Sequence, residues 1–452
     1  MEIVIVGGGT VGAEICTQLA GDRHSITVID RSETALAEIA NISDVVGIVG
    51  NGISVSVLQK AGVGRADLLI AVTSDDEINI LCCAAAKQLG VKHTVARVRN
   101  PEYTELMQLM ASEIHLSLTI NPELAVAEEI ARVLRFPTAT KVDTLCRGKV
   151  ELAQFSVQTG SPLCGRPLNE LRGVLNVKFL ICAVLRGGEA YIPSGDFILE
   201  AGDIVCVTAS DEEITSFFKA AGAYRQPVKN VLIAGGDRTT YYLEERLRKN
   251  GIRSTVIEKD EARCAALAES FRCTVVCDRP TKRERLHEEG LERADAFLAL
   301  SGDDEDNVIT SLYAKAQGVP KVVTMVKHES YLDIFKSAGL DTIVSPKSST
   351  VTNIVRYLRS MARARDAEIE SLHRFMDDKV EALEFAIKEE IEGITCVPLR
   401  ELSCRAGVLI ACIVHRGETV IPNGNDVIMP GDTVIVVTAG GKLNRMKDIV
   451  AS

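Results

Sequence analysis

The feature that most constrains this chain is an internal repeat. Val231-Leu232-Ile233-Ala234-Gly235-Gly236-Asp237 lies over Ile3-Val4-Ile5-Val6-Gly7-Gly8-Gly9, 228 residues earlier. At the same offset, Arg65-Ala66-Asp67 returns as Arg293-Ala294-Asp295. So does Thr73-Ser74-Asp75-Asp76-Glu77-Ile78-Asn79, as Ser301-Gly302-Asp303-Asp304-Glu305-Asp306-Asn307. Ile120-Asn121-Pro122 matches Val344-Ser345-Pro346. A smaller pattern also recurs: Arg186-Gly187-Gly188-Glu189-Ala190-Tyr191-Ile192-Pro193 against Arg416-Gly417-Glu418-Thr419-Val420-Ile421-Pro422, and Ala201-Gly202-Asp203 against Pro430-Gly431-Asp432. The order is A-B-A-B. A long fixed period sets the architecture before any single element is considered. The chain of 452 residues is too long for one core, and we expect domains at residues 1–135, 141–223, 228–358 and 372–452.

Each A unit opens in the same way. Glu2 to Val6 is an apolar, β-branched run, followed at once by Gly7-Gly8-Gly9-Thr10-Val11-Gly12. Ala13 to Ala20 reads as a helix, and Ile26 to Asp30 as a second strand ending on a carboxylate. Strand, glycine turn, helix, strand, acid is the order a dinucleotide-binding βαβ unit needs. Gly7 permits the tight turn, Gly9 admits a phosphate close to the backbone, and Gly12 lets the helix lie near the sheet. The amides of Gly8, Gly9, Thr10 and Val11 then point at an anion, aided by the helix dipole. Asp30 is placed to accept from ribose hydroxyls, and its charge disfavours a 2′-phosphate.

Further strands are expected at Val45–Val49, Leu68–Val72, Thr94–Val98 and Ile114–Ile120. Strands this apolar are buried on both faces, which implies a parallel sheet between helices. Asn51, Thr73 and Ser74 follow strand ends, where ligands sit in such sheets. Arg97, inside the fifth strand, calls for a partner, either a nucleotide phosphate or an interfacial carboxylate. In the second A unit Gly235 and Glu258 are kept, but Asp237, Thr240 and Met325 stand where Gly9, Gly12 and Arg97 stood. Asp237 would repel a pyrophosphate, and Arg238 beside it would offset that charge or hold a phosphate differently. The second site is therefore altered or vacant. Asp75-Asp76-Glu77 and Asp303-Asp304-Glu305 are expected to complement helix N-termini.

The B modules read as small α+β units. Leu152–Val157, Lys178–Leu185 and Ile204–Thr208 are strands in the first, with a short helix from Leu168. Phe136 to Thr140 reads as a linker, and Val351 to Asp378 as a charged helix joining the second A unit to the second B.

Composition excludes several classes. Net charge is −11, Trp is absent and aromatics are 4%, which argues against nucleic acid as a partner. The densest basic cluster, Arg356, Arg359, Arg363 and Arg365, runs into Glu368 and Glu370 and reads as a solvated face. Thirteen cysteines include no CxxC, so reduced thiols are expected, with no metal site. No window holds the ~18 apolar residues of a transmembrane helix. The apolar run at Glu2–Val6 is five residues with no basic stretch before it, and is expected to be a core strand and not a leader. GxSxG, HExxH, a Walker A lysine and Tyr-x-x-x-Lys are all missing, and the seven histidines are scattered. No catalytic residue is assigned.

The A-B-A-B layout resembles the TrkA family, the peripheral, cytosolic regulatory subunits of Trk-type potassium uptake systems. The resemblance is carried by Ile3 to Gly12, Val28-Ile29-Asp30, Gly50-Asn51, Ala71 to Asn79 and Ile120-Asn121-Pro122, and it spans the whole chain. It implies an α/β fold class: duplicated Rossmann-like parallel-sheet domains (RCK-N), each followed by a small α+β domain (RCK-C). It implies NAD(H), ATP or ADP as ligand, held at Gly7, Gly8, Gly9, Thr10, Val11, Gly12, Asp30, Asn51, Thr73, Ser74 and Arg97. Gly235 and Glu258 match in the second half. It also implies a ring, commonly a tetramer, beneath an integral membrane subunit of TrkH or TrkG type, on the inner face of the plasma membrane. Two other readings stay open: an NAD-dependent oxidoreductase, and a regulator of a different cation transporter.

Overall fold

A computed structural model describes residues 1–20, 24–103, 106, 116–146, 149–209, 211–328, 330–340, 342–364, 369–376, 379–440 and 443–450. It contains four sheets. The first holds β1 (Glu2–Val6), β2 (Ser25–Asp30), β3 (Val46–Val49), β4 (Leu68–Ala71), β5 (His93–Arg97) and β6 (Leu118–Ile120). The second holds β7 (Lys141–Leu145), β8 (Val150–Ser156), β9 (Leu180–Arg186), β10 (Glu189–Tyr191) and β11 (Ile204–Thr208). The third holds β12 (Asn230–Ala234), β13 (Arg253–Glu258), β14 (Thr274–Cys277), β15 (Ala296–Ala299), β16 (Lys321–Met325) and β17 (Ile343–Val344). The fourth holds β18 (Ile369–Phe375), β19 (Val380–Ala386), β20 (Val408–His415), β21 (Glu418–Val420) and β22 (Thr433–Ala439).

The first and third sheets are parallel, in orders β3-β2-β1-β4-β5-β6 and β14-β13-β12-β15-β16-β17. Each first strand is central: Ile3 pairs with Ile26 on one side and Leu68 on the other. The order reverses there, so the carboxyl ends of β1 and β4 open a crevice at a switch point. The apolar runs of the central strands β1 and β4 are buried on both faces, as expected, because helices cover the sheet. The edge strand β3 instead leaves Val46 and Val49 exposed, contrary to expectation, since no described strand pairs with its outer side. Helix Thr10–Leu19 buries Val11, Ile15, Cys16 and Leu19. These duplicated parallel sheets, each followed by a small antiparallel one, are the fold class read from the sequence.

The chain forms two compact units, each drawing on both halves: Met1–Glu128 with Asn230–Leu358, and Glu129–Lys229 with Arg359–Ser452. In the second unit, antiparallel sheets β10-β9-β11-β8-β7 and β18-β19-β22-β20-β21 share a core. Leu152, Cys182 and Cys206 from one meet Ala382, Cys412 and Val437 from the other. The cysteines are free, and seven of them are buried.

Three elements differ from expectation. The charged stretch after Val351 is helical only to Ala364, and Ile369–Phe375 is the strand β18. Its Glu- and Arg-rich composition favours a helix, but pairing with β19 buries Ile369, Leu372 and Phe375. Tertiary burial outweighs propensity here. The helix itself is a packing element, with Val351, Ile354 and Leu358 buried. Arg356 on it is half-buried, and the side chains of Arg359, Arg363 and Arg365 lie outside the described residues. Phe136 and Ala139, read as linker, are buried in the core of the first small module. The last strand of the first A unit is described only as Leu118–Ile120, since Ile114 and His115 lie outside the described residues.

One buried ion pair anchors the first small module. Asp203 is 2% exposed and accepts from Nε and a terminal nitrogen of Arg186, both at 2.8 Å. Burial pushes the Asp203 carboxyl up, but the Arg186 guanidinium and the Glu200 amide outweigh it and hold the group below its ordinary range. A carboxyl lowered in the folded state stabilises above its unfolded pKa of about 3.9, and that contribution is lost as pH falls through the folded value. Arg186→Ala leaves a buried charge unpaired and is expected to cost on the order of 3 kcal/mol. Urea unfolding at neutral pH would show the loss, and the deficit should shrink below pH 4 as Asp203 protonates.

Candidate functional site

The glycine turn of the first half is built for close approach. Gly7 adopts φ +110°, a left-handed conformation that disfavours a side chain. A Cβ there would meet the backbone of Val72 and Thr73 at 3.0 Å. The Gly8 amide donates to Asp30 Oδ2 at 2.6 Å and the Ser32 amide to Asp30 Oδ1 at 2.8 Å, so Asp30 shapes the turn. At Gly12 a Cβ would lie 2.0 Å from the Gly7 carbonyl oxygen. At Gly9 nothing lies within 4 Å of such an atom. Gly9 is the N-cap of helix Thr10–Leu19, and no side chain caps its amides. The first-turn N–H groups thus face open space, the arrangement that receives an anion.

The crevice walls follow at the carboxyl ends of the neighbouring strands. Asn51, just after β3, accepts from the Arg31 guanidinium at 3.1 Å. Thr73, just after β4, donates through Oγ1 and its amide to Asn79 Oδ1 at 2.7 and 2.9 Å. Asn79 Nδ2 returns bonds to the carbonyls of Thr73 and Arg97, at 3.2 and 2.9 Å. Fully buried, Asn79 ties the ends of β4 and β5 together. The sequence reading passed over it, although its recurrence as Asn307 was the available signal. Asn307 does the same for Ser301 and Met325. The Ser74 carbonyl accepts from the Arg99 guanidinium, and Asp76 accepts from the Arg99 and Asn100 amides and from Arg99 Nε. Asp75 caps the helix that begins at Asp76, as expected, through the Ile78 amide at 2.9 Å.

Arg97 ends β5, half-buried, with its Nε unpartnered among the described residues. Burial pulls its pKa down, and Arg99 adds to that, while Glu123 and Asp76 oppose it. Glu123 Oε2 is also buried without a partner, and burial pushes that carboxyl up. A desolvated cation with a free donor fits an incoming phosphate. The glycine turn, Asp30, Asn51, Thr73, Ser74 and Arg97 all lie along the same carboxyl edge of the sheet.

The second half keeps the turn and fills it. Gly235 repeats φ +110°, and Glu258 accepts from the Gly236 and Asp260 amides at 2.5 and 2.8 Å. Glu258 is only 4% exposed, however. Asp237 stands at φ −81°, ψ −170°, close to the −73°, −169° of Gly9. Its Oδ1 accepts from the Thr239 and Thr240 amides at 2.9 and 3.4 Å. A resident carboxylate therefore takes the position an anion would occupy, which goes further than repulsion. Burial pushes the Asp237 carboxyl up, opposed by the two amides, Arg263 and Lys327. Arg238, read as offsetting this charge or holding a phosphate differently, is exposed. Thr240 Oγ1 donates to the Gly235 carbonyl at 2.7 Å, so this helix stands off where Gly12 lets its counterpart approach. Met325 is buried against Thr239.

The filled copy braces the open one. Tyr242, on helix Arg238–Lys249, donates to the Arg99 carbonyl at 2.9 Å and accepts from Asn121 Nδ2 at 2.7 Å.

Comparison with known proteins gives a consistent result. A family model described as the TrkA-N domain matches residues 3–117 and 231–346, and the TrkA-C domain model matches 152–222 and 397–451. The Trk system potassium uptake protein TrkA homolog of Archaeoglobus fulgidus is 31% identical over 451 residues, covering 99% of this chain and 100% of that protein. The Trk system potassium uptake protein TrkA of Vibrio alginolyticus is 29% identical over 447 residues, covering 98% and 96%. Among solved structures, the GsuK channel bound to NAD superposes with a TM-score of 0.63 at 17% identity, covering 97% of this chain and 77% of that one. At that identity the likeness speaks to the fold.

Proposed function

Since the chain belongs to the TrkA family, we propose that it is a nucleotide-sensing regulatory subunit of a potassium uptake system, and that its first glycine turn grips the nucleotide. The observation that carries this reading is the uncapped helix start at Gly9, facing open space near Asp30, with Arg97 at the end of β5 keeping a buried Nε unpartnered among the described residues. The amides of Gly8 to Val11 receive the pyrophosphate of NAD(H), or the phosphates of ATP or ADP. Asp30 has both oxygens engaged by amides yet keeps further lone pairs for ribose hydroxyls. Arg97 supplies a charge-assisted bond to a phosphate, and Asn51, Thr73 and Ser74 line the rim. The second crevice, filled by Asp237, Thr240 and Met325, takes no nucleotide, and Gly235 and Glu258 there are structural.

The chain performs no chemistry on the nucleotide. It acts as a peripheral subunit in a homomeric ring, a tetramer, under an integral membrane subunit of TrkH or TrkG type at the inner face of the plasma membrane. None of the described helices is long and apolar enough to cross a membrane. A nucleotide shifts such a ring only by its difference in affinity for two states. Titration calorimetry with NADH and with ATP tests the site. Asp30→Arg is expected to lose both ligands with the fold retained. Unchanged affinity in that variant would remove the assignment.

A further inference from the structure

Two cysteines of the second half stand outside the repeat. The residues 228 positions before Cys264 and Cys277 are Leu36 and Val49, so the first half has no such pair. Cys277 is the last residue of β14, the edge strand of the third sheet, in register with Glu258. Cys264 lies on helix Glu261–Ser270, and its Sγ donates to the Glu258 carbonyl at 3.3 Å. The helix carrying Cys264 packs against the strand that ends at Cys277, so both cysteines lie beside Glu258. Cys277 is exposed and Cys264 is buried. One open thiol against one shielded thiol is the arrangement of an attacking and a resolving cysteine.

We propose that Cys264 and Cys277 form a redox-sensitive dithiol that a peroxide closes into a disulfide at the filled second crevice. The Cys277 thiolate attacks one peroxide oxygen and breaks the O–O bond. The departing hydroxide takes up a proton and leaves as water, and Cys277 becomes a sulfenic acid. The Cys264 sulfur then attacks the Cys277 sulfur, giving up its proton, and the sulfenic hydroxyl leaves as a second water. Two electrons from the two thiols reduce one peroxide, and the balance is complete. Burial above all, and then the neighbouring Cys277, push the Cys264 thiol up to about 12, which leaves the exposed Cys277 as the thiol that meets a peroxide first. In a reducing compartment such a bond is transient, as regulatory disulfides are. It would staple helix Glu261–Ser270 to the edge strand beside Glu258, independently of any ligand in the first crevice.

The full-length, reduced chain tests this without a nucleotide. It would be treated with hydrogen peroxide, alkylated, digested without reduction and read by mass spectrometry. The expected product is a Cys264–Cys277 linked peptide, with free thiols falling from thirteen to eleven and returning with dithiothreitol. Cys277→Ser, a near-isosteric change at an exposed position, should abolish the link. Exposed Cys396 and Cys404 serve as internal controls. If they oxidise while Cys277 stays free, the proposal fails. It fails equally if Cys277 proceeds to the sulfinic acid, or joins another cysteine, with Cys264 still reduced.

Discussion

Gly9→Asp is expected to abolish nucleotide binding by the first half while the protein stays folded. The chain carries its own precedent in Asp237, which occupies the equivalent position with nearly the same backbone angles. Nothing within 4 Å obstructs a Cβ at Gly9. The new carboxylate would accept from the Val11 and Gly12 amides, as Asp237 does from Thr239 and Thr240. An Asp cap is at least as good for the helix as Gly, so stability should change by no more than a few tenths of a kcal/mol. Affinity should fall far more. The anion site is filled and the incoming phosphates meet a like charge, so a loss of at least ~100-fold, about 2.8 kcal/mol, is expected by calorimetry. Retained affinity would mean that the phosphates do not sit at this helix start.

Gly12→Ala is expected to fail differently, losing stability and binding together. Its Cβ would lie 2.0 Å from the Gly7 carbonyl oxygen, a backbone atom that no rotamer change can move. Helix Thr10–Leu19 must then back away from the turn. That drags Val11, Ile15 and Leu19 from their buried seats. Overpacking of this kind costs about 1–3 kcal/mol. The second half shows what a side chain at this position requires: Thr240 is accommodated by a helix that stands a hydrogen bond away from Gly235. The check is urea unfolding followed by a probe in the first parallel-sheet domain, with nucleotide titration alongside. An unfolding midpoint equal to that of the unaltered protein would show that the approach of helix to turn is not tight.

Much of this was legible in the residues. The central parallel strands announced themselves because they are buried on both faces and therefore apolar throughout, while β3, at the sheet edge, is apolar yet exposed. The glycine turn did so because each glycine answers a separate steric demand. What escaped had physical reasons. β18 carries Glu370 and Arg374 on a strand whose burial comes from tertiary partners, the β19 ladder and the cores that receive Ile369, Leu372 and Phe375. The Arg374 side chain finds Glu381 across that ladder, at 2.7 Å. Asn79 was hidden because its role lies in two backbone carbonyls, distant in sequence, that it joins. Asp237 was recognised as hostile to a phosphate, but its role as a cap depends on the local backbone. Arg263 and Lys327, distant in sequence, are the cations that act on the Asp237 carboxylate.

The central claim is an asymmetry: one open grip and one filled copy in every chain. Its most direct test is the stoichiometry of NADH and ATP binding to the full-length protein by titration calorimetry. One nucleotide per chain is predicted, eliminated by Gly9→Asp and untouched by Asp237→Asn. Two per chain, or one that survives Gly9→Asp, would contradict the account.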